Sequence, residues 1–296
     1  MNQLFLKKPS RLSITILALQ YFSDESNSTL ADLVGGNLTA RPMWFIQIED
    51  DPQYRVLGFN DPSTIEEADA MINPSDDTPC PSRLGHFPDW QYLLREVYNL
   101  YRFSSAGGSP SIRSHQKEVR HRLSRLLNDD PPINKIHASE KPVCSHLSRA
   151  LDIGVSHPTA SLSRAIERIR GQLLWEFGYG KVPAGLINKY AFSEFMGPKG
   201  IIVSKELILG LVLFAPGTTY PTHSHQGITE SYFCLNGAIS ENDVGVYAPG
   251  SLILNPPNHP HRITTSDREP SLLAYAWVGP TENLTNQKMV FNRQPR

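Results

Sequence analysis

The sequence predicts an α+β chain, with a helical N-terminal region followed by a C-terminal β-barrel. Two observations predict it. Between residues 88 and 177, apolar residues recur at helical spacing. From about Tyr190 onward, short β-prone runs are divided by Gly, Pro and Asn, which is the rhythm of an all-β sandwich or barrel. A third observation bears on chemistry. In PTHSHQGITESYFCLNG (Pro221–Gly237), His223, His225, Glu230 and Tyr232 crowd into a stretch that otherwise reads as strand.

The expected organisation is an N-terminal extension over residues 1–85, a helical region over 86–189 and a barrel over 190–296. The extension is the least legible part: SDESNSTLADLVGGN is loop-like, RPMWFIQIED reads as a short strand, and NPSDDTPCPSRLG is a turn-rich linker. The helical region begins with PDWQYLLREVYNLYRF, where Trp90, Leu93, Leu94, Val97 and Tyr101 share a face behind Pro88 and Asp89. SHQKEVRHRLSRLL repeats the pattern with Val119, Leu123, Leu126 and Leu127, and NDDPPIN breaks it. TASLSRAIERIRGQLLWEF predicts a third helix, with Leu162, Ile166, Ile169, Leu173 and Phe177 inward and a solvated face of Arg164, Glu167, Arg168 and Arg170. The strands expected after that are ELILGLVLFAPG, ESYFCLNG, VGVYAPG, SLILNPP, HRITT and LLAYAWVG.

Composition narrows the partners. Of 296 residues, 40% are hydrophobic and 19% charged, enough to build a core and too apolar for a disordered tail. A net charge of −1 gives no argument for nucleic acid or for an anionic membrane surface. Cys80, Cys144 and Cys234 form no CxxC pair, so neither a disulfide framework nor a zinc ribbon is expected, and reduced thiols in a cytoplasmic protein are. The run from Leu12 to Phe22 follows a basic start, as in an export signal, but it contains Ser13, Thr15 and Gln20 and no small-x-small site follows. No run approaches the ~18 apolar residues that span a bilayer. A homodimer is compatible with all of this.

The crowded stretch has a defined spacing. Gly217 is followed by five residues, then His223, Ser224, His225, four residues, Glu230, six residues and Gly237. Further on come Gly250, five residues, Pro256, and His261 five positions later, with Asn258 where a turn glycine is usual. Both patterns resemble the two motifs of the cupin family. That resemblance implies a double-stranded β-barrel in which His223, His225, Glu230 and His261 bind one divalent transition metal, such as zinc, iron, manganese or nickel. The residues suit that use. Positions i and i+2 of a strand face the same side, so His223 and His225 point together, as do Glu230 and Tyr232. Imidazoles with a carboxylate suit such an ion. His259 also lies two residues from His261, but the spacing selects His261 and leaves His259 at the rim. Cys234 shares the parity of Tyr232 and is expected to be a buried apolar thiol.

The helical leader together with MGPKGIIVSKELILGLVLFAPGTTYPTHSHQGITESYFCLNGAIS, APGSLILNPPNHPHRITT and EPSLLAYAWVGP resembles the cupin-type dimethylsulfoniopropionate lyases over roughly residues 85–280. The resemblance implies base-initiated β-elimination of a small zwitterion to dimethyl sulfide and acrylate, with Tyr232 as the base and Tyr220 and Trp277 lining the substrate pocket. Leu273, Tyr275 and Trp277 alternate onto one face of the last strand. If that face is the lumen, Tyr275 and Trp277 could cradle a sulfonium beside Tyr220, although core packing is the plainer role for Tyr275. The chain departs from the family at Thr229 and at Arg262, and Arg262 is expected to alter the pocket. The alternatives are another cupin enzyme on a small carboxylate, such as a dioxygenase or isomerase, or a non-catalytic cupin that binds a small ligand.

Overall fold

The computed structural model describes residues 82–178 and 182–291, and the backbone of four earlier strands: β1 (Gln3–Lys7), β2 (Ser13–Leu19), β3 (Met43–Ile48) and β4 (Arg55–Gly58). These four form an antiparallel sheet in sequence order within a compact unit, Met1–Pro79. β3 falls on the run that reads as a strand. Among the described residues, a second unit, Cys80–Arg296, contains the helices and the remaining strands. No helix among the described residues is long and apolar enough to cross a membrane.

Helix α1 (Pro88–Phe103) opens on a proline at its first position and buries Trp90, Leu93, Leu94, Val97 and Tyr101, as the periodicity predicts. Helix α2 (Pro110–Asp129) starts where the Ser109 hydroxyl accepts from the Ile112 N–H, and it buries His115, Gln116, Val119 and Leu123. Helix α3 (Leu147–Gly154) is short, and α4 (Ala160–Ile169) buries Leu162, Ile166 and Ile169. The apolar pattern predicts the helix of α4 running on to Phe177, but it ends in a 3₁₀ turn over Arg170–Gln172. Beyond that turn the backbone is recruited elsewhere: Trp175 N–H bonds to Ser139, and Glu176 pairs both ways with Phe192. Leu173 is still buried, so an extended segment and a helix share the same apolar positions here.

The other strands form two antiparallel sheets that enclose a lumen, with one short parallel pair at an edge, giving a cupin-like arrangement without a closed ring. The six-stranded sheet runs β12-β9-β14-β7-β5-β6: β5 (Tyr190–Gly197), β6 (Ile202–Val203), β7 (Ile208–Phe214), β9 (Thr229–Asn236), β12 (Leu252–Asn255) and β14 (Ser271–Val278). The five-stranded sheet runs β11-β10-β13-β8-β15: β8 (Thr219–His225), β10 (Ile239–Glu241), β11 (Val246–Tyr247), β13 (His261–Thr265) and β15 (Met289–Phe291). All seven residues of β7 and all eight of β14 are buried because the six-stranded sheet is covered on both faces. Leu209, Leu211, Leu213, Phe233, Leu235 and Ala276 join the helices in one apolar core. Ile208, Val212, Phe214, Tyr232, Cys234, Leu273, Tyr275 and Trp277 join Tyr220, Ile239 and Ile263 in the lumen. This explains why these strands read as continuous apolar runs instead of alternating ones.

Buried polar contacts tie the helices to the site strand, and the Thr159 hydroxyl before α4 donates to the Leu235 carbonyl of β9 at 3.2 Å. Ser231, on the helix face of β9, shares its hydroxyl with Tyr101 Oη of α1 (2.7 Å) and His115 Nε2 of α2 (2.8 Å), all three buried. Tyr101 also meets Phe233 edge-on, with centroids 5.0 Å apart. Burial lowers His115 to about 4, so its ring is neutral at neutral pH. Because that value lies below the ordinary 6.5, the unfolded chain takes up the proton first. Stability from the neutral ring is therefore complete above about pH 6.5 and is lost as pH falls toward 4, by up to about 3 kcal/mol. Chemical denaturation at stepped pH should show this loss in the native chain and a shallower slope across the same window in His115→Gln.

Candidate metal centre and cavity

His223 and His225 project from β8, two residues apart and on one face. β13 pairs antiparallel with β8 and sets His261 directly opposite His223. Their ring centroids stand 4.1 Å apart, and those of His223 and His225 5.1 Å. Between β8 and β9 the chain turns at Gly227, whose φ of +67° and close approach to Asn283 leave no room for a side chain. The turn delivers Glu230 to the start of β9, on the other sheet. Asn258 takes φ +64° before His261, the turn that glycine usually fills. The four ligand atoms lie within 4.8 Å of one another, and all four residues are buried, a span of the order covered by one ion with donors at ~2.0–2.2 Å.

The polar atoms of this group converge without pairing. His261 Nε2 is 2.9 Å and His225 Nε2 3.3 Å from Glu230 Oε2, yet none of the three forms a hydrogen bond of good geometry. Buried atoms of this kind are costly unless something else satisfies them. The opposite sides of the rings are already fixed. His223 Nδ1 donates to the Pro221 carbonyl and His261 Nδ1 to the His259 carbonyl, both at 3.0 Å, which leaves each Nε2 as a lone-pair donor toward the centre. Trp277 Nε1 donates to Glu230 Oε1 at 2.7 Å and so turns Oε2 toward the histidines. Burial would raise the Glu230 carboxyl, but His225 and His261 outweigh it and hold the group well below the carboxylate range. Burial, with His261 second, lowers His223 to about 3. His223 is thus a neutral imidazole beside an ionised carboxylate, as a divalent cation requires, whereas at His261 burial is outweighed by Glu230, which raises it.

A cavity of about 340 Å³ opens on this group. The sequence-predicted site residues Tyr220, His223, His225, Glu230, Tyr232, Tyr275 and Trp277 all line it. His261 closes the tetrad from behind, and its ring lies 6.3 Å from that of Tyr232. Burial first, and the Glu230 carboxylate second, push the Tyr232 phenol well above its ordinary value. The Tyr220 hydroxyl donates to that of Tyr190 at 3.2 Å. His259 is exposed, and its carbonyl instead of its ring serves the site. Arg262 faces away from the lumen on β13 and pairs with Asp243, so it does not alter the pocket. Cys234 is buried, and burial pushes its thiol up to about 12. Sequence reasoning missed Glu194, Gln287 and Met289 on the cavity wall. A lone glutamate in the apolar run YAFSEFMG was the available signal for the first of these. Nothing in the sequence marks the Trp277 N–H as the partner of Glu230.

Comparison with known proteins converges on one family. A family profile described as dimethylsulfoniopropionate lyase matches residues 115–273. A Cereibacter sphaeroides protein carrying the name dimethylsulfoniopropionate lyase DddL is 53% identical over 207 residues, covering 70% of this chain and 89% of its own length. Among solved structures, DMSP lyase DddQ from Ruegeria pomeroyi has a TM-score of 0.53 at 21% identity, covering 70% of this chain and 97% of its own. A chain from a study of the DMSP lyases RdDddP and RnDddQII has a TM-score of 0.54 at 19% identity, covering 70% and 98%. At these identities the two structures speak for the fold alone.

Two outcomes are expected of the metal centre. Elemental analysis should find about one transition ion per native chain and little in His223→Ala or His261→Ala, whereas His259→Ala should retain it. Full occupancy in both of the first two variants would remove these residues from the ligand set. Trp277→Phe leaves Glu230 Oε1 unpaired, so competition with a chelator should show metal affinity lowered by about 10–100-fold.

Proposed function

From the premise that the chain belongs to the dimethylsulfoniopropionate lyase family and is a carbon–sulfur lyase, we propose that it cleaves dimethylsulfoniopropionate to dimethyl sulfide and acrylate by base-initiated β-elimination, with a divalent transition ion held by His223, His225, Glu230 and His261. The observation that carries this reading is the meeting, in one cavity, of the unpaired His/Glu tetrad with a buried tyrosine two residues beyond its carboxylate.

The difficulty of the reaction lies in the proton. It sits on the carbon next to a carboxylate and is weakly acidic, so the negative charge that develops as it leaves must be stabilised. A divalent ion in the tetrad supplies positive charge that stabilises both this developing charge and a tyrosine phenolate. Tyr232 is the base. Its ring is fixed between Glu230 and Cys234 on the lumen face of β9, opposite Tyr275 of β14. It takes the proton from the α carbon, the electron pair forms the carbon–carbon double bond of acrylate, and the β carbon–sulfur bond breaks. Its electrons neutralise the sulfonium, which leaves as dimethyl sulfide. Trp277 holds Glu230 in place throughout, and Phe214, Val212 and Tyr220 supply an apolar part of the cavity wall.

Tyr232→Phe removes one oxygen and keeps the ring. Headspace measurement of dimethyl sulfide at saturating substrate should show kcat lowered by at least ~10²–10⁴-fold, with fold and metal content retained in the same sample. A folded, metal-loaded variant near the native rate would exclude this tyrosine, and Tyr220 would be the next candidate.

A further inference from the structure

One cross-strand row of the six-stranded sheet runs through the lumen. Tyr232 of β9 pairs with Tyr275 of β14, Tyr275 with Gly210 of β7, and Gly210 with Glu194 of β5. Gly210 is required here because a Cβ would stand 2.4 Å from the Tyr275 ring. The phenol of Tyr275 therefore lies across Gly210, directed from Tyr232 toward Glu194. Three strand spacings separate Glu194 from Tyr232, about 14 Å between backbones, so Glu194 faces the end of the cavity away from the tetrad.

The Glu194 carboxylate is held in place by its surroundings. Oε1 accepts the Lys199 backbone N–H and Oε2 the Gln287 side-chain amide, each at 3.0 Å. Gly197 makes room for it, since a Cβ there would lie 2.2 Å from Oε1. Lys199 is exposed at the rim, and no lysine, arginine or histidine among the described residues forms an ion pair with Glu194. Glu176, also on the cavity wall, adds a second negative charge. Among the described residues, Lys199 is the one lysine on the cavity wall, and it is exposed and forms no ion pair with Glu194, so a largely buried, positioned carboxylate faces the cavity and is suited to a cationic ligand.

On the reading given above, we infer that Glu194 is a specificity-determining residue that binds the sulfonium end of the substrate, with Tyr275 as its aromatic neighbour, while the substrate carboxylate lies at the tetrad beside Trp277. The cavity is then polarised end to end and matches a zwitterion in one orientation. This role goes beyond aromatic contact, because a carboxylate favours a cation over a neutral group of the same shape.

The test compares two ligands of the same shape: dimethylsulfoniopropionate and 4-methylpentanoate, which has a neutral CH in place of the sulfonium. Glu194→Gln keeps the size of the side chain and removes its charge; its oxygen can still accept the Lys199 N–H, and its NH2 can donate to the Gln287 amide oxygen once that amide turns over. Metal-loaded variant is expected to show KM for the sulfonium raised about tenfold or more, kcat within a few-fold of native, and an unchanged inhibition constant for 4-methylpentanoate. Parallel weakening of both ligands would mean that Glu194 only shapes the wall, and no change in either would mean that it faces nothing relevant; each result overturns the inference. The native chain gives a further check that needs no variant, since equal affinity for the two ligands would overturn the inference too. Native protein that releases no dimethyl sulfide would instead refute the proposed reaction. The two affinities, measured by calorimetry, would still decide the role of Glu194.

Discussion

A carboxylate removed from water must be compensated, and Glu230 is where this fold meets that requirement. Only 1% of it is exposed, and leaving such a group ionised and alone would cost several kcal/mol. One oxygen is satisfied by the Trp277 indole on the neighbouring strand. The other faces two imidazoles that approach it without forming proper hydrogen bonds. The tetrad is therefore a set of ligand atoms that converge within 4.8 Å of one another, unlike an ion-pair network that satisfies itself. Its position also fixes the sheets: Glu230 comes from one and the three histidines from the other, so the registers of β8, β9 and β13 must all be right for the group to exist.

β9 shows how one strand can serve structure and chemistry together. Its lumen face carries Glu230, Tyr232 and Cys234, and its opposite face carries Ser231, Phe233 and Leu235. The second set anchors the helices through the shared Ser231 hydroxyl and the Tyr101–Phe233 contact. Side chains alternate with a period of two, so a slip of one residue would exchange the faces, placing Glu230 among the helices and Ser231 in the lumen. The helical region thus helps specify the register on which the site depends.

Much of the site was legible because its residues are close in sequence and its spacing is rigid. His223, His225, Glu230 and Tyr232 lie within ten positions, and strand periodicity alone says which of them point together. The six β-prone runs after residue 205 became strands for the same reason. The α4 boundary was not legible, because Leu173 is buried whether its segment is helical or extended, and only the pairing of Glu176 with Phe192 settles the matter. The roles of Trp277 and Glu194 depend on cross-strand neighbours 47 and 16 positions away. Periodicity places a side chain on a face but does not name its partner across the sheet, so Trp277 read as a pocket aromatic and its N–H contact to the carboxylate was missed.

The same cross-strand logic orders the cavity. Along the row Tyr232, Tyr275, Gly210, Glu194, one position lacks a side chain, and that gap lets the neighbouring phenol lie flat along the wall instead of filling the lumen. A Cβ at position 210 would stand 2.4 Å from the Tyr275 ring, so any larger residue there would displace the phenol from this place on the wall. With glycine there, one cavity reaches from Glu194 at one end to the His/Glu tetrad at the other. A small zwitterion can satisfy both ends at once, whereas a simple carboxylate satisfies one. On the proposed function, selectivity for such a substrate would rest on where a backbone without a side chain sits in the sheet as well as on the residues that line the cavity.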